Sequence, residues 1–259
     1  MKWRSEDRGA LRERLAQWRS RAPECHNVFR EPEEAWEVAE LDGVTFFRVR
    51  EHAHFRLYFF AESSSALMRA FASLDTAEYV VNVPARGSAP ESLRVALEAS
   101  NFREIARYRR MFFPRATLFR VENADKEPEF ATDADSEKLY EEILRTFSVR
   151  TDYVPEKTEW RKIVDERRVL VRRAPDGNVR ACAAFSRIGR KIVLNFWFAT
   201  GGGTQVLRDL MCLAAKEGAV LQFWVRDGNE RAISLYLAQG AQFDGLDDFT
   251  FLRLPVPRD

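Results

Sequence analysis

The sequence is poor in the residues that build metal centres and disulfide frameworks. It has 3 cysteines and 3 histidines. Cys25, Cys182 and Cys212 are odd in number and show no CxxC spacing, so neither a disulfide scaffold nor a thiolate zinc site is expected. His26, His52 and His54 all fall in the first half, with no serine or cysteine in a recognisable catalytic arrangement, and no metal is expected. Long apolar runs are missing: none approaches the roughly 20 residues that cross a bilayer. Met1–Arg14 is charged and lacks the apolar stretch of a secretion signal. An excess of one charge is missing too. Lys plus Arg number 41 against 40 for Asp plus Glu, a net charge of +1, which gives no support to a nucleic-acid or anionic-membrane surface. The expectation is a cytoplasmic protein with no nucleic-acid or membrane partner.

What is present is core material. Hydrophobic residues make up 46% of the chain and phenylalanine alone counts 20, while 31% charged residues match a globular composition. The length of 259 residues allows two domains of ordinary size.

The order of elements repeats. Residues 5–21 predict an amphipathic helix with Leu11, Leu15 and Trp18 on one stripe. Strands are predicted at Val44–Val49 and Phe55–Ala61, a helix at Ser64–Leu74, a strand at Glu78–Val83, a helix at Ala89–Ala99 and a strand at Ile105–Phe113. The second half gives helices at Ser136–Phe147 and Pro155–Glu166, then strands at Val169–Arg173 and Val179–Arg187 joined by the turn Pro175-Asp176-Gly177-Asn178. A strand at Lys191–Ala199, a helix at Thr204–Lys216 and a strand at Val220–Val225 follow. Phe59-Phe60-Ala61-Glu62-Ser63-Ser64-Ser65-Ala66 parallels Trp197-Phe198-Ala199-Thr200-Gly201-Gly202-Gly203-Thr204, each opening a helix after a hydrophobic strand. The expectation is two similar domains, 1–114 and 115–259, joined near Pro114–Pro128; chance similarity of two αβ segments is the bland alternative.

The most informative stretch is Val225 to Gly240. An apolar strand enters a turn at Asp227, Gly228 and Asn229; Ala232, Ile233, Leu235, Tyr236 and Leu237 then recur at helical spacing, and Gly240 stops the helix. The pattern Asn-x-x-Ala-Ile-x-Leu-Tyr-x-x-x-Gly resembles the closing strand–helix unit of the GNAT family, the GCN5-related N-acetyltransferases. Gly201-Gly202-Gly203-Thr204-Gln205-Val206-Leu207 resembles the end of that family's pyrophosphate loop, where backbone N–H groups at a helix start receive phosphate oxygens. It departs from the family in being short and in carrying Phe198 where Arg or Gln is usual.

The resemblance implies an α/β fold of two GNAT-like domains, each a mixed, mostly antiparallel sheet flanked by helices. The sheet of the second domain would splay between Lys191–Ala199 and Val220–Val225 to admit acyl-coenzyme A. It implies an N-acyltransferase using acetyl-CoA or another acyl-CoA as co-substrate, without metal. The donor would be held by Phe198, Ala199, Gly201, Gly202, Gly203, Thr204, Gln205, Asn229 and Tyr236, with Tyr236 protonating the departing thiolate. The plainer readings are Thr204 as helix N-cap, Asn229 as N-cap and Tyr236 as a packed ring.

Strand alternation puts Ile192, Leu194, Phe196 and Phe198 on one face and Val193, Asn195 and Trp197 on the other. Asn195, Trp197 and Gln222 are candidates for lining a pocket for the acceptor, a small-molecule or peptide amine; Asn195 and Gln222 read equally as ordinary buried amides. Lys191–Ala199 contains no carboxylate to act as the family's general base. Asp244, Asp247 and Asp248 are expected as solvated turn acids that could alternatively meet a cationic acceptor. The first half has Ser63–Ser65 for the glycines and Ala96 for Tyr236, the pattern of a domain that has lost its donor site. The second reading is a catalytically inactive pair that binds a ligand or protein, and the sequence leaves room for a homodimer.

Overall fold

In a computed structural model, residues 1–21, 23–27, 36–118 and 127–255 are described. They form two compact units, Met1–Arg107 with Leu246–Asp259, and Tyr108–Gly245. The chain begins with β1 (Arg4–Glu6), α1 (Arg8–Ser20), β2 (Cys25–His26), β3 (Trp36–Leu41), β4 (Val44–Glu51), β5 (His54–Ala61), α2 (Ser64–Ala72), β6 (Tyr79–Arg86) and α3 (Glu91–Ala99). Next, β7 (Arg103–Phe113) runs from the first unit into the second. The second unit holds α4 (Arg115–Leu118), α5 (Asp133–Thr146), α6 (Lys157–Asp165), β8 (Val169–Arg173), β9 (Val179–Ile188), β10 (Lys191–Ala199), α7 (Gly203–Lys216), β11 (Val220–Arg226) and α8 (Glu230–Ala238). Finally β12 (Gln242–Arg253) carries the chain back, and its residues Leu246–Arg253 pair with β6 of the first unit. The linker expected at Pro114–Pro128 includes the short helix α4, and its residues 119–126 lie outside the described ones.

Each unit is a mixed, mostly antiparallel sheet flanked by helices. In the first the order is β1-β3-β4-β5-β6-β12, and β2 adds to β5; in the second it is β7-β11-β10-β9-β8. Each sheet contains a single described parallel pair, and both pairs are short. One joins β5 to β6 at Phe55↔Tyr79 and Arg56↔Val80. The other joins β10 to β11 from Lys191↔Val220 to Leu194↔Phe223. Beyond those points the strands keep only their antiparallel partners: β4 stays with β5 to Ala61, and β9 with β10 to Ala199. On the far side, β12 stays with β6 to Arg86, and β7 with β11 to Arg226. Held from opposite sides by twisting ladders, the two inner strands part. The splay expected in the second half is therefore present, and the first half has its counterpart.

Helical periodicity fills the space above these sheets. On α7, Val206, Leu207, Leu210, Met211 and Ala214 pack with Ile192, Leu194, Leu221 and Phe223. The other face of the same sheet is covered by α5 and α6, whose Leu139, Ile143, Trp160 and Val164 pack with Val169, Val171 and Cys182. Trp160 is completely buried, and its indole N–H donates to the Ser136 carbonyl at 3.0 Å, so the ring's polar edge is satisfied. In the first unit Leu11, Leu15 and Trp18 of α1 form the expected buried stripe against Tyr58 and Phe60.

One expectation about β10 is overturned. Strict alternation assigns Phe196 and Phe198 to the face of Ile192 and Leu194. The register with β9 shifts between Leu194 and Phe196, leaving Asn195 as the extra residue of a β-bulge. A one-residue slip exchanges the faces of everything that follows. Phe196 and Phe198 consequently join the core under α5 and α6, and Trp197 joins Leu194 under α7.

No helix among the described residues is long and apolar enough to cross a membrane. Among them, no group of three or more His, Cys, Asp or Glu stands together as a metal site.

Candidate functional site

The candidate site is built where β10 and β11 part and α7 begins. Past Ala199 the turn is pinned to β9, because the Thr200 and Gly201 N–H groups both donate to the Arg180 carbonyl, at 2.8 and 3.4 Å. Gly202 takes a left-handed φ of 73° and is the N-cap of α7. Thr204, read from the sequence as a cap, sits inside the first turn instead, because only glycine enters this left-handed corner cheaply. No side chain caps α7. Its first backbone N–H groups are left without a side-chain acceptor at the positive end of the helix dipole.

The three glycines differ in their reasons. A Cβ on Gly203 would stand 2.7 Å from the Ala199 Cβ and 3.0 Å from the Trp197 ring. The Trp197 indole N–H donates to the Gly203 carbonyl at 3.3 Å. Gly203 thus lets the helix start close over Trp197, a packing demand. A Cβ at Gly201 or Gly202 would meet nothing closer than ordinary contact: the nearest atoms are Arg180 Cδ at 3.6 Å and Arg172 Cβ at 3.9 Å. Gly202 is exposed and Gly201 half-buried.

Two arginines missed by the sequence reading flank the turn. Arg172 of β8 donates to both carboxylate oxygens of Asp209 on α7, at 2.6 and 2.5 Å. Asp209 is 2% exposed, so this bidentate pair locks α7 to the sheet from inside. Arg180 of β9 is exposed beside Gly201 and supplies a cation there from the neighbouring strand, where Phe198 of β10 does not. The only sequence signal was an aspartate on the apolar stripe of α7; the arginines are distant in sequence from the glycines.

Tyr236 of α8 lies at the parting point. Its ring centroid is 4.4 Å from that of Phe223, the last β11 residue paired to β10, and 5.6 Å from that of Trp197. It is 5% exposed, and burial pushes its hydroxyl above the usual phenol range, so the group is protonated at neutral pH. Asn229 is the N-cap of α8, its side-chain oxygen accepting from the Ala232 N–H at 3.2 Å.

The remaining candidates are dispersed. Phe198 is half-buried on the face opposite α7, whereas Ala199 is exposed beside the turn. Gln205 is exposed, and its N–H donates to the Gly202 carbonyl at 3.1 Å. Neither Asn195 nor Gln222 is the buried amide of the plainer reading. Asn195 is exposed at the bulge, accepting from the Ser186 hydroxyl at 3.4 Å, and Gln222 is half-buried opposite Val193 and Phe112. The bulge turns Trp197 under α7, where it is half-buried. The closing acids are not solvated turn residues either. Asp244 accepts from Arg110 at 2.7 Å, Asp247 from Arg107 at 2.7 Å, and Asp248 is 7% exposed. They lie within β12, where strand pairing and burial replace solvent.

No protein family model and no curated protein matches the chain. Solved structures do match it. A GCN5-related N-acetyltransferase from Sphaerobacter thermophilus is 13% identical, with 96% of this chain and 86% of that one covered at a TM-score of 0.56. A GNAT-family acetyltransferase from Colwellia psychrerythraea is 8% identical, with 98% and 100% covered at 0.58. A tandem GNAT protein from the clavulanic acid biosynthesis pathway is 9% identical, with 100% and 99% covered at 0.62. The fold is that of GNAT acetyltransferases, with two such units in one chain.

Proposed function

We propose that this tandem of GNAT folds is an acyl-CoA-dependent N-acyltransferase whose donor site lies in the second unit. The observation that carries the reading is the parting of β10 and β11 at Leu194/Phe223, with the uncapped start of α7 on one side and the Tyr236 ring on the other. The residues present fit an acyl-CoA. The exposed Gly202 and the uncapped start of α7 offer backbone N–H groups to pyrophosphate oxygens, and Arg180 adds a cation beside them. The opened edge of β10 suits the amide-bearing pantetheine arm.

In this reading an unprotonated amine attacks the thioester carbonyl and the carbon–sulfur bond breaks. Backbone N–H groups steady the developing oxyanion. Tyr236, protonated at neutral pH, gives its proton to the leaving sulfur and recovers one from the amine through solvent. Asn195 and Gln222, on the two strands beside the parting, are proposed to meet the acceptor amine.

The absence of a carboxylate in Lys191–Ala199 favours a second reading, a catalytically silent pair that only binds a ligand. Calorimetric titration with acetyl-CoA, followed by thiol release across a panel of amines, separates the two. Binding with turnover supports the transferase, binding without turnover supports the silent pair, and absence of binding removes the transferase and leaves a silent pair that binds another ligand or a protein.

A further inference from the structure

The first unit has the same parted strands, and there the gap is filled by the chain itself. Beyond Arg56/Val80 the freed edge of β5 is taken by β2, which pairs antiparallel at Cys25↔Ala61 and His26↔Phe60. The Asn27 N–H continues the ladder to the Phe59 carbonyl at 3.3 Å. The Asn27 side chain, 1% exposed, then spans the gap. Its oxygen accepts from the Phe59 N–H at 2.7 Å, and its amide nitrogen donates to the Leu57 carbonyl of β5 and the Asn82 carbonyl of β6, each at 3.0 Å. One residue therefore satisfies backbone groups on both diverging strands.

The other end of the segment reaches the helix that follows β5. The Ser64 N–H, at the first turn of α2, donates to the Glu24 carboxylate at 3.4 Å. Ser63 caps the same helix, accepting from the Ala66 N–H at 3.2 Å. An acidic group at the helix start, an extended amide-bearing stretch along the strand edge and a polar tip inside the fork are the features that an acyl-CoA would present to the second unit. There α7 has no side-chain cap, and no segment among the described residues pairs with β10 beyond Leu194 on the β11 side.

We propose that Glu24–Asn27 is the resident occupant of the first unit's cleft, standing in for an acyl donor, so that the chain takes one donor and not two. The comparison with a donor rests on the reading of the second unit given above; the occupancy itself rests on the Asn27 and Glu24 contacts. The occupant has a structural reason, since unpaired strand groups in a closed core are costly.

Amide hydrogen exchange on the full chain tests this, with acetyl-CoA as the probe. In the wild type the Phe59 amide is expected to be protected and unchanged by acetyl-CoA, while Asn195–Ala199 gains protection. Asn27→Ala removes the acceptor of the Phe59 N–H and should speed its exchange roughly ten-fold, the scale of one net hydrogen bond. Titration should give one acetyl-CoA per chain. Two equivalents, donor-induced protection at Phe59, or unchanged Phe59 exchange in Asn27→Ala would each overturn the proposal. If Phe59 behaves as expected and no acetyl-CoA binds, the occupant stands and the donor reading falls. Should Asn27→Ala fail to fold, the wild-type stoichiometry and the Phe59 response decide alone.

Discussion

Trp197 lies beneath the first turn of α7, with its indole N–H on the Gly203 carbonyl at 3.3 Å and its ring 3.0 Å from where a Gly203 Cβ would be. The contact ties the glycine turn to the aromatic group that also holds Tyr236.

The two ends of the glycine run should therefore respond differently to bulk. Gly203→Val forces the helix start off Trp197 and Ala199, and should cost about 1–3 kcal/mol, the range of an overpacked core. Gly201→Val meets only the Arg180 side chain, 3.6 Å from the added Cβ, and should melt near the wild-type temperature while weakening acetyl-CoA binding. Thermal melts beside calorimetric titrations check both. Wild-type donor affinity in a folded Gly201→Val would remove this turn as the phosphate cradle.

Tyr236→Phe isolates the proton donor. The ring contacts with Phe223 and Trp197 persist, so the melting temperature should change little. If the hydroxyl protonates the leaving thiolate, kcat should drop by about 100- to 10,000-fold with donor affinity retained. An equally active Phe variant would make Tyr236 a packing residue and water the proton source.

The Arg172–Asp209 pair predicts a charge-specific loss. Arg172→Met leaves the Asp209 carboxylate buried and unpaired, at about 3–5 kcal/mol. Arg172→Met with Asp209→Leu should regain most of that stability, because the pair is then replaced by apolar packing. Urea denaturation of the two variants measures the difference; a double variant as unstable as the single one would point to packing loss instead.

Asp248 should make stability fall as pH rises. Its side chain faces Asn82, which donates to it at 2.8 Å, with Thr250 and Arg56 also on the Asn82 amide and the Val83 N–H nearby. Burial outweighs these partners and lifts its carboxyl from 3.8 to about 6. A folded pKa above the unfolded one means that its contribution is whole below pH 3.8 and is lost as pH rises through about 6. Asp248→Asn keeps an acceptor for Asn82 and removes the charge. It should match the wild type near pH 4 and exceed it at pH 7, by up to about 3 kcal/mol at about 1.4 kcal/mol per pKa unit. Parallel melts at the two pH values give the answer, and an equal offset at both would rule the titration out.

The sequence alone determined most elements of both units, because their signals are local. Apolar spacing marked α7 and α8, and the Asp176-Gly177 turn marked the β8–β9 hairpin. The repeated strand-to-helix junctions at Ala61 and Ala199 marked the tandem, and the Asn229–Tyr236 pattern marked the fold. What escaped was decided by partners far along the chain. The bulge at Asn195 is a property of the β9–β10 register, and it alone reassigned Phe196, Trp197 and Phe198 between faces. The short strands β1 and β2 carry no periodicity of their own and exist through the edges they cover. Arg180 reaches the glycine turn, and Arg172 reaches Asp209, only because β8, β9 and β10 lie side by side. The end of the chain joined the first unit because β6 offered Leu246–Arg253 an open edge. Local pattern fixes which segments become strands and helices; which edges they satisfy, and which side chains then meet, is settled by backbone pairing in three dimensions.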